Sequence, residues 1–545
     1  MSFLRLLGPL LFLAASCSSP DEPGRNASRD ESRDPSRPNI IIILTDDQGY
    51  EDVGVYGATG FETPNLDRLA AEGMRFTSFY AAGSACSPTR ASIMTGSYPL
   101  RAGIHDVLFP ATLWGLNPAE ITIAELARDR GYATAAVGKW HLGDHPLFLP
   151  TNHGFDSYFG IPYSNDMSPA PENNPWPDNR GRHPPLPLVR DTMIIEREPD
   201  QSQITRRYTE EAVDFIRRNE DRPFFLYLAH TMPHVPLFVS ESFSGVTERG
   251  LYGDVISEID WSVGRIIETL RELNLDRNTF VFFCSDNGPW LIFGNHGGSA
   301  GPFREGKATT FEGGHRVPAI AWMPGRIAPG TVSDDITTTM DLLPTVAGLI
   351  GAQVPTDRVI DGKNIRPILM SKSSGAAVAN SAAANAGGAS TGAVNAGAAN
   401  VGGANAGAAD VGTVDPYEAF FFYRGGRLEA VRSGRWKLHV PHWYVKPVRI
   451  GNDGAAGEYE RIDMPLALFD LEADPGETTD VLAAKPEVVE RLSVYVERAR
   501  AEIGDYLTGS FGSQARPPAY VEESWAQNPL AKPEDRVSMD PAVPE

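Results

Sequence analysis

Four short apolar runs recur along the chain, and each is followed directly by a polar segment. They span residues 39–44 (NIIIIL), 133–137 (ATAAV), 223–228 (PFFLYL) and 279–284 (TFVFFC). Apolar runs of this length are typical of strands that are buried on both faces of a parallel sheet. The pattern therefore predicts an α/β fold that contains these runs as buried strands.

The polar segments after the runs carry residue types that bind metal ions. Asp46 and Asp47 follow the first run, and Asp286 and Asn287 follow the last one. Because open α/β sheets bind ligands just beyond the carboxyl ends of their strands, we expect the segments to converge on one crevice. Oxygen ligands without the Cys and His spacing of a zinc site suit Ca²⁺ or Mg²⁺, and we favour Ca²⁺. Each pair alone is also typical of a turn or a helix cap, but its recurrence after two similar strands favours the metal site.

Cationic and proton-transferring side chains complement these acidic pairs. The candidates are Lys139, His141, His234 and Lys307. Residues 138–143 (GKWHLG) are also typical of a loop around a buried tryptophan. The spacing does not distinguish His234 from His230, which lies one helical turn earlier.

Residues 86–90 (CSPTR) predict a nucleophile at the start of a helix. Cys86 precedes a proline suited to the first helical turn, and Arg90 follows one turn later. The free backbone N–H groups of a helix N-terminus attract anions, so we expect a negatively charged substrate. The alternative is a buried cysteine ahead of an ordinary helix.

Six segments, in the order found here, resemble the signature of type I sulfatases, a formylglycine-dependent family of the alkaline phosphatase superfamily. The segments are DD at 46–47, CSPTR at 86–90, GKWHLG at 138–143, PHVP at 233–236, DNG at 286–288 and GKATTFEGG at 306–314. Residues 160–164 (GIPYS) also match the arylsulfatase A-like branch. Thr89 stands where serine is commoner in the family.

The resemblance implies a fold and a set of residue roles. The fold is α/β, with an alkaline-phosphatase-like central mixed, mostly parallel sheet flanked by helices and a smaller C-terminal subdomain with an antiparallel sheet and a helix. In this family a maturation enzyme oxidises the cysteine to formylglycine, and its hydrate attacks the sulfur of a sulfate ester. The metal ligands would be Asp46, Asp47, Asp286, Asn287 and the formylglycine at position 86.

The remaining roles implied by the resemblance concern the substrate. Arg90 would fix the formylglycine hydrate, and Lys139 and Lys307 would hold the sulfate oxygens. His234 would assist the leaving group, and His141 would accept a proton when the covalent intermediate collapses. Ser164 would contact the substrate.

Two other functions stay open. A phosphonate or phosphate monoester hydrolase of the same superfamily would use the same layout, and a non-catalytic lipoprotein that binds sulfated glycans would be expected to lack one motif residue. For a sulfatase, we expect an aryl sulfate or a sulfated carbohydrate as substrate, such as a fragment of a sulfated polysaccharide.

Composition and the N-terminus indicate an exported protein. The chain has 545 residues, 41% of them hydrophobic, and its formal net charge of −22 argues against a nucleic-acid partner. Residues 1–17 have the basic and apolar regions of a signal peptide and end in LAASC, which resembles a bacterial lipobox. A lipid on Cys17 would be the protein's only membrane attachment, in the periplasm or at the outer membrane. The alternative is an ordinary signal peptide.

Composition shifts divide the rest of the chain. We expect a flexible tether at 18–37, a catalytic domain at 38–370, an Ala/Gly/Asn-rich linker insertion at 371–414, a C-terminal subdomain at 415–505 and a surface tail at 506–545. In the subdomain, residues 419–423, 428–432 and 435–440 are predicted strands, and residues 486–503 are a predicted amphipathic helix. His439, His442, Trp443 and Tyr444 either reach the substrate pocket or belong to an edge strand whose histidines face solvent.

Overall fold

The predicted buried strands lie side by side in a ten-stranded sheet in the computed structural model, which describes residues 37–176, 183–371 and 416–522. The predicted signal peptide, nearly all of the tether and the linker insertion, and the end of the tail lie outside the described residues. In chain order the strands are β1 (Asn39–Thr45), β2 (Met74–Phe76), β3 (Phe79–Tyr80), β4 (Trp114–Gly115), β5 (Ala133–Gly138), β6 (Ser157–Gly160), β7 (Pro187–Arg190), β8 (Met193–Arg197), β9 (Phe224–Ala229), β10 (Thr279–Ser285), β11 (Ala319–Trp322), β12 (Thr331–Ser333), β13 (Thr337–Thr338), β14 (Phe420–Arg424), β15 (Arg427–Ser433), β16 (Trp436–His439), β17 (His442–Arg449), β18 (Glu458–Met464), β19 (Ala467–Asp470), β20 (Gly504–Asp505), β21 (Ser510–Phe511) and β22 (Ala519–Tyr520).

The centre of the large sheet is parallel and its flanks are mainly antiparallel. The strand order is β12-β2-β11-β10-β1-β9-β5-β6-β7-β8. Strand β1 pairs in parallel with β10 and β9, and β9 pairs in parallel with β5. Leu44 is opposite both Cys284 and Ala229, and Ala229 is opposite Gly138. The four strands therefore end at the same level, which brings the polar segments after them together.

Helices cover both faces of this sheet, as the mixed, mostly parallel α/β prediction required. The helices are α1 (Pro64–Glu72), α2 (Cys86–Thr95), α3 (Ile123–Asp129), α4 (Ile204–Arg218), α5 (Leu251–Glu272), α6 (Glu312–His315), α7 (Leu342–Ile350), α8 (Arg366–Leu369) and α9 (Pro486–Glu502). In β1, Ile40 and Ile42 pack into the core layer that contains α2 and α7, whereas Ile41 and Ile43 pack into the layer that contains α4 and α5. Burial on both faces explains why the run has no polar alternation.

The C-terminal subdomain contains the predicted antiparallel sheet and helix. Its four strands are ordered β14-β15-β16-β19, and α9 packs against them. Phe420, Phe422 and Leu492 of this subdomain share a core with Tyr80 and Tyr98 of the central-sheet region. This shared core fixes the subdomain beside the carboxyl ends of the central strands.

Two further observations concern the outer parts of the chain. The described part of the predicted tail, residues 506–522, contacts the rest of the protein. Its short strand β22 pairs with β4, and its Arg516 forms an ion pair with Glu120. Within the described ranges, every helix is too short or too polar to cross a lipid bilayer.

Candidate active site

The two acidic pairs meet at the ends of β1 and β10. The backbone N–H of Asp47 donates to Asp286 Oδ1 over 3.2 Å, and Asn287 Nδ2 donates to Asp47 Oδ1 over 2.7 Å. All four side chains of the pairs are buried. Asp47 has a φ of +67°, in the left-handed region that Asp and Asn tolerate better than most residues. The convergence that was expected from strand order is present.

Cys86 begins helix α2, as the sequence predicted. Ala85 precedes it in an extended conformation and makes no side-chain cap, and all ten residues of the helix are buried. Cys86 Sγ lies 3.4 Å from Asp46 Oδ1 and 3.5 Å from Lys307 Nζ. Residue 86 is therefore placed between a carboxylate and a cation at a helix N-terminus, where partial positive charge also accumulates.

The thiol itself is a poor nucleophile in this position. Burial, together with the charge of Asp46, raises the pKa of Cys86. Cysteine hydrolases instead lower the pKa of their nucleophile, because the thiolate is the reactive form. The surroundings of Cys86 do not favour thiolate chemistry.

Three buried cations neutralise the three buried carboxylates. Arg90 donates to Asp286 Oδ2 through Nε and Nη2, over 3.1 and 2.8 Å, and its Nη1 donates to the carbonyl of Lys139 over 2.7 Å. Lys139 Nζ lies 2.5 Å from Asp46 Oδ2, and Lys307 Nζ lies 2.7 Å from Asp47 Oδ1. Burial disfavours a charged Asp46, but Lys139 and the other positive charges outweigh it and lower the pKa of Asp46.

The carboxyl group of Asp47 behaves differently. Burial and the negative charges of Asp46 and Asp286 raise the pKa of Asp47, and the opposing effect of Lys307 is smaller. A further positive charge would therefore be needed to keep the three carboxyl groups ionised together.

His234 and His141 present a free or weakly bonded ring nitrogen to this cluster. His234 Nδ1 contacts the carbonyl of Val235 at 2.6 Å, which leaves Nε2 facing Ser164 Oγ at 3.5 Å and Asp47 Oδ2 at 3.6 Å. His141 Nε2 contacts the carbonyl of Leu108 at 2.9 Å. Its Nδ1 is buried and has no hydrogen-bond partner among the described residues.

The surroundings of both rings favour the neutral form of the imidazole. Burial, with Lys139 next in importance, lowers the pKa of His141, and burial with Lys307 lowers the pKa of His234. The carbonyl contacts assign the ring proton to Nε2 of His141 and to Nδ1 of His234, because a carbonyl oxygen only accepts. His141 Nδ1 and His234 Nε2 are therefore the basic nitrogens.

Close backbone packing explains two glycines of the motifs. A Cβ on Gly138 would lie 1.8 Å from the carbonyl oxygen of Ala229, and the residue has a φ of +107°. A Cβ on Gly288 would lie 1.8 Å from the carbonyl oxygen of Gly313. The first contact positions Lys139 beside the end of β9, and the second packs the Asp286–Asn287 turn against the segment that follows Lys307.

The donor set fits a hard divalent cation. Ligand atoms of Asp46, Asp47, Cys86 and His234 all lie within 4.8 Å of one another. Asn287 Oδ1 is buried and has no hydrogen-bond partner among the described residues. A flip of the Asn287 amide group would direct its oxygen, instead of its nitrogen, toward Asp47 Oδ1. A cation between these two oxygens would stabilise that arrangement. A thiol is a poor ligand for Ca²⁺, whereas an oxygen-bearing group at position 86 would match the other donors.

The cluster forms one end of a cavity of about 600 Å³. Sequence reasoning missed several residues of its wall: Asp166, Trp176, Trp290, Arg424 and Arg427. Trp290 follows the DNG turn almost directly, and the ring centroid lies 4.2 Å from Lys307 Nζ, so its position in the chain was an available signal. The arginines flank a Gly-Gly turn in the C-terminal subdomain, and no local pattern connects them to residue 86.

Three other histidines lie away from the cavity. His230 Nε2 contacts Ser262 Oγ at 3.2 Å, which distinguishes it from His234. His439 is fully buried with Nε2 2.8 Å from Glu477 Oε1, and His442 Nδ1 contacts the carbonyl of Val440 at 2.7 Å. Both interpretations were wrong for His439 and His442, because His439 at the end of β16 packs against Glu477 and His442 at the start of β17 packs against Glu429, rather than against the cavity or solvent. Trp443, next to His442, does reach the cavity.

Known proteins resemble this chain over most of its length. The family model Sulfatase matches residues 38–352, and the model for the C-terminal region of aryl-sulfatase matches residues 415–526. N-acetylgalactosamine-6-sulfatase of Canis lupus familiaris is 39% identical over 499 residues, which cover 85% of this chain and 86% of that protein. Arylsulfatase A of Bos taurus is 37% identical, with 83% of this chain and 85% of that protein covered. The crystal structure of Ps i-CgsB in complex with k-i-k-neocarrahexaose matches 89% of this chain and 95% of its own at 26% identity, with a TM-score of 0.67.

Proposed function

Because the chain belongs to the sulfatase family, whose members hydrolyse sulfate esters, we propose that it releases sulfate with a formylglycine formed from Cys86 and a bound Ca²⁺. The observation that carries this proposal is the position of Cys86. It lies at a buried helix N-terminus, in contact with Asp46 and Lys307, and its raised pKa argues against reaction as a thiolate.

Two groups that the chain must acquire supply part of the chemistry. When formed, the formylglycine hydrate supplies an oxygen nucleophile, and bound Ca²⁺ neutralises charge on the sulfate ester. The residues that would hold the ion are Asp46, Asp47, Asp286 and Asn287. The three carboxylates and the three cations Arg90, Lys139 and Lys307 balance in formal charge, so a divalent ion would leave the site positive and able to attract an anionic ester.

The cations then orient the ester and residue 86. Lys139 contacts Asp46, Lys307 contacts Cys86 and Asp47, and each would donate to sulfate oxygens. Arg90 is held by Asp286 and by the Lys139 carbonyl and would orient the oxygens of residue 86.

The two histidines would divide the proton transfers. The negative charge of a bound sulfate ester opposes the effect of Lys307 and favours protonation of His234 Nε2, which would supply a proton to the leaving oxygen. His141 Nδ1 carries a lone pair with no partner among the described residues and would accept a proton at residue 86. Ser164, 3.1 Å from Lys139 Nζ, would contact the substrate.

We infer that the natural substrate is a sulfated carbohydrate, such as a galactose or N-acetylgalactosamine sulfate. One relative is named N-acetylgalactosamine-6-sulfatase, and one structural neighbour was solved in complex with k-i-k-neocarrahexaose. Sugar binding is also in accord with Trp176 and Trp290 in the wall of the cavity, because aromatic rings pack against the apolar faces of sugars.

The test is sulfate release from defined esters by protein made with and without a formylglycine-generating maturation enzyme. The expected result is turnover of one or more sugar sulfates only after maturation, with little hydrolysis of the matching phosphate or phosphonate monoesters. Turnover of aryl sulfate alone would refute the carbohydrate substrate. A preference for phosphate or phosphonate esters would favour the rival hydrolase. The chain belongs to an enzyme family, so the non-catalytic alternative is set aside.

We further propose that the protein is exported and anchored in the bacterial envelope by a lipid on Cys17. The support is the signal-like sequence of residues 1–17 and its LAASC ending, which lie outside the described residues.

A further inference from the structure

A second cationic centre lies in the cavity, on the wall that the C-terminal subdomain provides. Arg424 and Arg427 flank the turn between β14 and β15, and both line the same cavity as Cys86 and Lys307. Guanidinium groups stay charged at all ordinary pH values. This wall therefore carries positive charge that the reaction at residue 86 does not use.

The acidic groups near the two arginines do not neutralise both. Glu429 Oε1 lies 2.8 Å from Arg427 Nη2 but 4.0 Å from Arg424 Nη1. Glu429 Oε2 also accepts from Thr310 Oγ1 over 2.9 Å. The other carboxylate of this part of the cavity, Asp106, is exposed to solvent and accepts from the N–H of Val107.

Arg424 is the group left without a strong acceptor. Its side chain is 16% exposed, and its Nη1 is buried with no hydrogen-bond partner among the described residues. A buried charged donor without an acceptor is costly, and an anion in the cavity would relieve that cost. The position of Arg424 thus points to a ligand with a negative group at this end.

The aromatic ring of Trp443 holds both guanidinium groups in place. The Cζ atoms of Arg424 and Arg427 lie 4.6 and 4.1 Å from the ring centroid of Trp443, which also lines the cavity. Stacking on an aromatic face restricts an arginine before a ligand arrives, so less conformational entropy is lost on binding.

We propose that Arg424 and Arg427 form a subsite for a second anionic group of the substrate, a carboxylate or sulfate on the sugar unit next to the one that loses sulfate. This inference rests on the proposed function. The cavity of about 600 Å³ lies within the range of roughly 300–1,000 Å³ that encloses drug-sized ligands, so it has room for more than one sugar ring. A local cationic centre also offsets the long-range repulsion between a polyanion and a protein of net charge −22.

The test compares Arg424→Gln with a matched control, Arg461→Gln. The Cζ of Arg461 also lies 4.6 Å from the Trp443 ring centroid, but its side chain is 65% exposed and does not line the cavity. For each matured protein, kcat/KM is measured on sulfated disaccharides that differ only in the neighbouring unit: neutral, uronate-bearing or sulfated. The readout is the ratio of kcat/KM on an anionic disaccharide to that on the neutral one, in which any unfolded fraction of a variant cancels.

The expected result is a wild-type preference for an anionic disaccharide and a fall of that ratio by about tenfold or more in Arg424→Gln, mainly through KM. Arg427→Gln should lower the ratio in the same direction, and Arg461→Gln should leave it unchanged. Whether the ratio falls for the uronate or for the sulfated disaccharide identifies the anionic group. An unchanged ratio in Arg424→Gln, or an equal fall in Arg461→Gln, would overturn the subsite while sulfatase activity stands. Absence of sulfate release from every ester by matured wild type would instead overturn the proposed function.

Discussion

Replacing Lys437 with methionine should destabilise the contact between the central-sheet region and the C-terminal subdomain. Lys437 Nζ lies 3.0 Å from Glu312 Oε1 and 3.0 Å from Glu477 Oε1, and all three side chains are fully buried. Glu312 belongs to α6, directly after the Lys307 segment, whereas Lys437 and Glu477 belong to the subdomain. The substitution would leave two buried carboxylates without their shared cation.

The expected cost is large for a single substitution. Removing one partner of a buried ion pair costs about 3–5 kcal/mol, because the remaining charge stays buried and unpaired. Arg432, 3.8 Å from Glu312, and His439, 2.8 Å from Glu477, compensate part of it. For a cooperative unit of 150–250 residues each kcal/mol corresponds to about 2–4 °C in melting temperature, so a decrease of about 5 °C or more is expected.

The same cluster predicts how stability depends on acid. Burial disfavours a charged Glu312, but Lys437 and the neighbouring arginines outweigh it and lower the pKa of Glu312 from its ordinary value of 4.5 to about 2. When folding lowers the pKa of a carboxyl group, its full contribution to stability is present at pH values above the pKa that the group has in the unfolded chain. That contribution is lost as the pH falls from about 4.5 toward 2, and in Lys437→Met the loss should begin at higher pH.

The assay is thermal unfolding of wild type, Lys437→Met and Arg449→Gln at neutral and acidic pH. Arg449 is the control because it pairs with Glu458 at 2.6 Å with both side chains 62% exposed, and exposed pairs contribute about 0–1 kcal/mol. Midpoints are compared because a chain of several domains need not unfold in two states. A melting temperature of Lys437→Met that matches that of Arg449→Gln would refute the reasoning about burial.

Three further predictions concern the site and the N-terminus. His234→Gln should lower kcat/KM by about 10²–10⁴-fold, whereas His230→Gln, equally buried but bonded to Ser262, should keep near-wild-type turnover; equal losses would contradict the assignment of His234. Treatment with a chelator should abolish sulfate release, and Ca²⁺ should restore it better than Mg²⁺; full activity after complete metal removal would exclude the ion. Cys17→Ser should move the protein from the membrane fraction to the soluble fraction of a bacterial host, and an unchanged distribution would contradict lipid attachment.

Most of the fold's centre was predictable because its signals are local. The apolar run of β1 is buried on both faces, and the residues just after it are the ones that contact the turn after β10. Neighbouring parallel strands that end at the same level bring the residues after them together, and this does not depend on the rest of the chain. The sequence was therefore sufficient to group the residues that follow β1 and β10, which are Asp46, Asp47, Asp286 and Asn287. Lys307 was also a candidate, but its segment follows no predicted strand, so its role came from the resemblance to sulfatases.

The parts that sequence reasoning missed depend on contacts between distant segments. Arg424 and Arg427 reach the cavity only because the core shared by Phe420 and Tyr80 fixes the subdomain beside α2. His439 was misassigned because its burial depends on Glu477, which lies far along the chain and bonds to both His439 and Lys437. Alternation within a strand shows which side chains share a face, but it does not show what covers that face.

Mass spectrometry of the peptide that contains residue 86 shows whether the active protein carries a formylglycine there. The peptide is taken from protein that has been made with a maturation enzyme and that releases sulfate, with Cys86→Ala as the inactive control. We expect a residue about 18 Da lighter than cysteine, in a fraction that rises in proportion to specific activity. Full activity from protein whose Cys86 is entirely unmodified would contradict this expectation.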